Sequence, residues 1–191
     1  MPRASSFTST QIIDAALALV RESGMDALTA RALGARLSAS AKPIFSVFPG
    51  KMAQVREETL RAARECYNGY IRSGLSASPA FKGVGMAYLR FAAEEPQLFR
   101  LLFMTERYGQ TDVPGILPQL DDSYAAILAS ITDGYAVSDA DAHRLYEHLW
   151  VYTHGIATLL ATHVCTLTPA QSGAMLTDIF IALLHTCKPN S

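Results

Sequence analysis

The chain has little that would cross-link it, anchor it in a bilayer or carry catalysis. Its three cysteines, Cys66, Cys165 and Cys187, are odd in number and form no Cys-x-x-Cys pair. That excludes a disulfide scaffold and fits a reducing compartment. No apolar run is long enough to span a membrane, since the greasiest stretch, 149–161, is interrupted by Thr153, His154 and Gly155. The first ten residues hold one Arg and no apolar core, which is not the pattern of a secretory signal. Charge is sparse at 17% of residues while half the residues are hydrophobic, so the chain is not a disordered one. A soluble, globular, cytoplasmic protein is expected. Its 191 residues make one ordinary domain or two small ones sharing a core.

Catalytic and metal-binding patterns are missing as well. His143 and His148 are five apart, and His148 and His154 six apart, so neither pair shares a helix face as His-x-x-x-His would. There is no His-Glu-x-x-His, no Cys/His cluster, no glycine-rich phosphate loop and no Gly-x-Ser-x-Gly elbow. Cys165 beside His163 reads as structural, and Glu94-Glu95 before Pro96 as a solvated helix end. Neither an enzyme nor a bound cofactor or metal is expected.

Period-2 alternation is nearly absent, whereas helix punctuation is dense. Thr8 and Gln11 form a capping box, and Ile12, Ala16, Leu19 and Val20 recur at helical spacing up to Gly24. Thr29 caps a second short helix through Leu33 and Leu37. Ser40 caps a third through Ile44 to about Val47, with Pro43 in its first turn, where a missing N–H costs nothing. After Pro49-Gly50 a long amphipathic helix covers about 51–73. Further helices are expected from Ser78-Pro79 to Glu95, over 97–104, over about 118–132, from Ser138 to about Cys165, and from the Thr168-Pro169-Ala170-Gln171 box onward. The segment 105–117 is the longest expected loop. The fold class expected is all-α, with about nine helices.

Net charge is unevenly spread: residues 1–51 carry +3 and residues 52–191 carry −4, with histidine neutral. A basic head on an acidic body suggests that the head meets a polyanion. Within that head, two short helices separated by about three residues stand behind a longer one. That is the layout of a helix-turn-helix, whose last helix enters the DNA major groove. Ile44 and Phe48 would pin the third helix, turning Ala41, Lys42, Ser46 and Val47 outward. Lys42, Pro43 and Ser46 are then nearest base edges. Thr29 and Ser40 place helix N-termini toward phosphates, and Lys51 stands beside the same backbone. A simple corner of a helix bundle would show the same spacing.

The run from Thr10 to Val55 resembles the DNA-binding domain of TetR-type transcriptional repressors. The features that carry the resemblance are Ile12/Ala15/Ala16, Gly24, Leu28-Thr29, Leu37, Ser40 and Phe48-Pro49-Gly50-Lys51. The family usually has Gly where Ser38 stands, Tyr where Phe45 stands, and an aromatic or His where Val47 stands. Phe45 and Val47 cannot donate hydrogen bonds to phosphate. Trp150-x-x-x-His154-Gly155 further resembles a Trp…His-Gly feature of one TetR C-terminal subfamily. The resemblance implies a one-component regulator, a repressor, that binds double-stranded operator DNA as a homodimer through residues 1–51. Residues 52–191 would then bind a small molecule and dimerise. The rival reading is an all-α ligand-binding or interaction protein without operator recognition.

The regulatory site is expected among Phe99, Phe103 and Met104, the helix at Tyr124, and Trp150 and His154, with Arg107 and Tyr108 closing the entrance. These residues would equally serve as plain core. The body holds no basic cluster, so a neutral or amphipathic effector is favoured over a highly anionic one. The dimer interface is expected along the last two helices, at Leu145, Leu149, Tyr152, Ile156 and Leu159 and at Leu176, Ile179, Phe180, Leu183 and Leu184. These stripes hold more apolar surface than one core requires.

Overall fold

The structure, a computed structural model, describes residues 7–106 and 112–187. Among these residues the chain forms ten α-helices and one short 3-10 turn, with no β-strand. It divides into two compact units, one of residues 7–66 with Gln97–Thr105, the other of Tyr67–Pro96 with 106 and 112–187.

The first unit starts with α1 (Ser9–Ser23). Thr8 Oγ1 accepts from the Gln11 N–H at 3.2 Å, and Gln11 Oε1 accepts from the Thr8 N–H at 3.0 Å, which closes the expected capping box. Ile12, Ala16 and Val20, four apart, are fully buried along one face. Gly24 ends the helix at φ 78°, its N–H bonded to the Val20 carbonyl. The turn Met25–Ala27 leads to α2 (Ala30–Arg36), and α3 (Ala41–Val47) follows. Leu28, Leu33 and Ile44 are fully buried, each contributing on the order of 1.5–3 kcal/mol. The Arg36 guanidinium pairs with Glu22 at 2.8 Å, joining α2 to α1. The long α4 (Lys51–Leu75) starts in this unit, where Arg56 donates to the Leu28 carbonyl at 3.2 Å. The short α6 (Pro96–Phe103) belongs to it from Gln97 on and buries Leu98 and Phe99.

The second unit takes the end of α4 and adds α5 (Ala80–Glu94), α7 (Val113–Leu120), α8 (Tyr124–Tyr135), α9 (Asp139–Ala161) and α10 (Pro169–Leu184). The pairing of α5 with α9 is its most extensive helix contact. Val84, Ala87, Tyr88 and Phe91 of α5 and Ala142, Leu145, Leu149 and Ile156 of α9 are buried. Where α4 meets α5, a Cβ on Gly74 would lie 2.6 Å from the Gly83 carbonyl oxygen, so this crossing demands glycine. Ser138 and Thr168 cap α9 and α10 as their spacing predicts.

Three expectations need correction. Part of the expected loop 105–117 is helix, because Asp112 caps α7 by accepting from the Gly115 N–H at 3.0 Å with Pro114 in the first turn. That helix is the tenth. The helix expected over 118–132 is split, since α7 ends at Leu120 and α8 begins at Tyr124. Asp121 at the break is extended and buried, and its Oδ1 accepts from the Ser123 N–H at 2.9 Å. Finally, α5 starts at Ala80 with Pro79, not Ser78, at the N-cap position, and α9 stops at Ala161.

Candidate functional site

The turn between α2 and α3 is built from tight backbone geometry. Ser38 takes the left-handed conformation at φ 52°, where the L-residue Cβ is crowded. The Ala39 N–H then reaches back to the Gly34 carbonyl at 2.9 Å. A Cβ on Gly34 would stand 2.7 Å from the Ala39 carbonyl oxygen, so α2 needs glycine where the chain folds back over it. On α3 the apolar pins behave as their spacing predicts: Ile44 is fully buried and Phe48, just past the helix, is 4% exposed. Lys42 and Ser46 face solvent, while Ala41, Pro43 and Val47 are half-buried at the edges of that face.

Two of the expected contacts differ in detail. Thr29 caps α2 through its side chain, accepting from the Ala32 N–H at 3.1 Å, but the Ser40 side chain makes no capping bond at α3. The Ser46 hydroxyl donates to the Pro43 carbonyl at 2.7 Å, so it presents acceptor lone pairs, not its hydrogen, to the outside. Lys51 is exposed at φ 55°, with its N–H bonded to the Phe48 carbonyl. Lys42 near the start of α3 and Lys51 at the start of α4 are both exposed cationic side chains.

The second unit encloses a cavity of ≈ 320 Å³. Tyr67 and Ile71 of α4 line it together with Phe81, Val84 and Tyr88 of α5. Tyr146, Leu149, Trp150 and Thr153 of α9 and Leu176, Phe180 and Ile181 of α10 complete most of the wall. The α5–α9 packing holds these rings at fixed angles, with Phe81 edge-on to both Tyr146 and Phe180. Asp121 also lines the cavity and is 4% exposed. Its Oδ2 accepts from the Tyr67 hydroxyl at 2.8 Å. Burial, and then the nearby Asp121 charge, push the Tyr67 hydroxyl well above its ordinary value. Burial does the same to Tyr88 and Tyr146, so all three phenols stay protonated. The Tyr88 hydroxyl is hydrogen-bonded with His154 Nδ1 at 2.9 Å, and burial lowers the imidazole below its ordinary value. His154 in turn stacks on Trp150, with ring centroids 4.8 Å apart.

The residues expected to bind a ligand are thus only partly brought together. Trp150 is on the cavity wall, and His154 stands behind it through Trp150 and Tyr88. Tyr124 packs on Tyr146 from outside the lining. Phe99, Phe103 and Met104 belong to the first unit, where the two phenylalanines pack on each other and Met104 is 43% exposed. Arg107 and Tyr108 lie outside the described residues. Helical periodicity alone cannot tell which apolar helix walls a cavity, and Tyr67, Tyr88 and Asp121 carried no distinguishing spacing.

The expected dimer stripe is divided as well. Leu145, Leu149, Ile156 and Leu176 are buried within their own chain, and Leu149, Leu176 and Phe180 line the cavity. Tyr152, Ile179, Leu183 and Leu184 are half-buried, and Leu159 is 42% exposed. Val151, Val164 and Ile181, which the stripe did not include, are also exposed. Part of the apolar surface of the last two helices lines an internal cavity.

The described residues contain no cluster of acidic, cysteine or histidine side chains able to hold a metal ion, and none of their helices is long and apolar enough to cross a membrane. No curated protein matches the chain. A solved structure from Mesorhizobium loti, a candidate TetR-family transcriptional regulator, shares the fold at a TM-score of 0.53 and 17% identity. The match covers 94% of this chain and 96% of that one. Residues 81–184, the part that supplies most of the cavity wall, match the model of the tetracyclin repressor-like C-terminal domain. The chain belongs to the TetR family of transcriptional regulators.

Proposed function

We propose that the protein is a one-component repressor that binds operator DNA as a homodimer and is released by a small molecule in the cavity of its second unit. The observation that carries this reading is α3. It is pinned by Ile44 and Phe48 while Lys42 and Ser46 stay in solvent, as a helix seated in a major groove requires. In this reading residues 1–51 contact DNA, with Lys51 and the helix ends at Thr29 and Ser40 toward phosphates. Ala41, Lys42, Pro43, Ser46 and Val47 face the bases. Residues 52–191 hold the effector and the partner subunit. Two recognition helices about 34 Å apart would read successive turns of one operator. The effector must prefer the released state, by about 5.5 kcal/mol for a swing from 1:99 to 99:1.

The test is a gel shift of the full chain against DNA flanking its own gene, over a range of salt. Lys51→Ala should weaken binding to every sequence alike and flatten the salt slope by about 0.9. Lys42→Ala should instead change which bases are preferred. Unchanged binding in both variants removes the assignment. Absence of any operator binding favours a ligand-binding protein without DNA recognition, a reading supported by Phe45 and Val47, which have no hydrogen to donate.

A further inference from the structure

Of the seven residues of α3, only Lys42 and Ser46 carry a side chain able to hydrogen-bond, since Ala41, Pro43, Ile44, Phe45 and Val47 have neither donor nor acceptor there. Both polar residues are exposed, and their spacing of four puts them on one face of the helix. Any hydrogen-bonded reading of base edges by α3 side chains therefore falls to this pair.

The two are opposite in kind. The Lys42 ammonium has three hydrogens and no acceptor. The Ser46 hydroxyl has a single hydrogen, which is used inside the helix, donated to the Pro43 carbonyl at 2.7 Å. A hydrogen must lie between two oxygens that close, and a carbonyl has none to give, so chemistry fixes the direction of this bond. Turning the hydrogen outward would forfeit the bond, so Ser46 shows lone pairs to solvent. It is the one acceptor among the α3 side chains. In the major groove adenine offers its N6 amino group as a donor and cytosine its N4 amino group. Guanine offers only the acceptors N7 and O6 there, and thymine the acceptor O4 with a methyl group. Lys42 suits guanine. Ser46 suits the amino groups and finds no hydrogen to accept on guanine or thymine.

We propose that Ser46 is a specificity-determining residue of the operator contact, an acceptor that selects adenine or cytosine at one position of each half-site through the exocyclic amine. The proposal rests on the reading of α3 as the helix that enters the major groove. It gives that position a signature of its own. Adenine and cytosine are exchangeable there, although one is a purine and the other a pyrimidine, whereas guanine and thymine are rejected.

The experiment selects sites for the full chain from a random duplex library, alongside Ser46→Ala. One half-site position is expected to hold adenine or cytosine on one strand. Exchange between these two should be tolerated, and exchange for guanine or thymine should weaken binding about fivefold. In Ser46→Ala that position alone should relax. The amine is then removed with the ring kept, by placing purine for each adenine and pyrimidin-2-one for each cytosine of the half-site in turn. One such deletion should weaken the natural chain about fivefold and Ser46→Ala by less than about twofold. An unchanged selected site in a folded Ser46→Ala overturns the proposal, as does a relaxing position that tolerates guanine for adenine in the natural chain. Half-sites in which no amine deletion weakens the natural chain overturn it too, and that result needs no variant. Enrichment of DNA by the natural chain keeps the two readings apart. DNA binding with any of these failures defeats the amine assignment alone, and no enrichment at all defeats the operator reading and the assignment with it.

Discussion

Ser38 shows at the residue scale how a departure from a family pattern has a physical cost. It occupies the left-handed region at φ 52°, where a Cβ costs about 1–2 kcal/mol and glycine does not pay that penalty. Glycine loses part of the gain through its larger unfolded-state entropy. Ser38→Gly should therefore stabilise the protein by about 0.5–1 kcal/mol in urea or thermal unfolding, with no change in the helix content of the native state. A lower midpoint would show that the serine side chain is needed in that turn. His154 supports a second prediction. Its folded-state value is lowered by burial, so the neutral ring is favoured in the fold. The associated stability is present above the unfolded value of about 6.5 and is lost as pH falls through the lower folded value. Because the ring stacks on Trp150, the tryptophan emission should titrate with a midpoint below 6.5. The transition should vanish in His154→Gln. A midpoint at or above the ordinary histidine value would contradict the burial.

At the scale of elements, the caps were the most legible part of the chain. Thr8 with Gln11, Ser138 with Asp141 and Thr168 with Gln171 each start a helix where side-chain chemistry satisfies N–H groups that have no partner inside the helix. Such signals are local, so they survive any tertiary arrangement. Asp112 is the same signal, masked because the two glycines and one proline of 105–117 resemble a loop. Gly34 was equally unread, since nothing around it in sequence marks a close approach. Gly34→Ala tests the difference between local and tertiary demands. Helix propensity alone would favour the alanine by about 0.5–1 kcal/mol. The new Cβ would sit 2.7 Å from a backbone oxygen that cannot retreat without breaking the Ala39–Gly34 bond. Overpacking of this kind costs about 1–3 kcal/mol, so clash should win. The variant is expected to unfold at lower urea and to lose operator binding, and a more stable variant would show that the turn can open.

For the whole molecule, the question is which apolar surface is left for a second copy. Leu145 is 1% exposed and is used up inside the chain, whereas Leu159 at 42%, Ile181 at 45% and Val151 at 50% remain in water. If the homodimer forms over that surface, Leu159→Glu should give a folded monomer in sedimentation, because the charge meets a partner only in the assembly. Leu145→Glu should instead abolish folding, since an unpaired buried carboxylate costs several kcal/mol. A Leu159→Glu protein that remains dimeric would move the interface to another face.

The amino-acid sequence by itself determined the all-α class, most helix starts, the helix-turn-helix pins Ile44 and Phe48, and the family. All of these rest on local spacing or on patterns that recur at fixed distances along the chain. It could not place the cavity. Tyr67, Tyr88, Asp121 and Tyr146 come from four separate stretches, and only the packing of α5 on α9 and the break after α7 bring them to one wall. Nor could it divide the apolar residues of α9 and α10 between core, cavity and solvent. A helical stripe records that a face is apolar, and what that face meets is decided by residues far away in the chain.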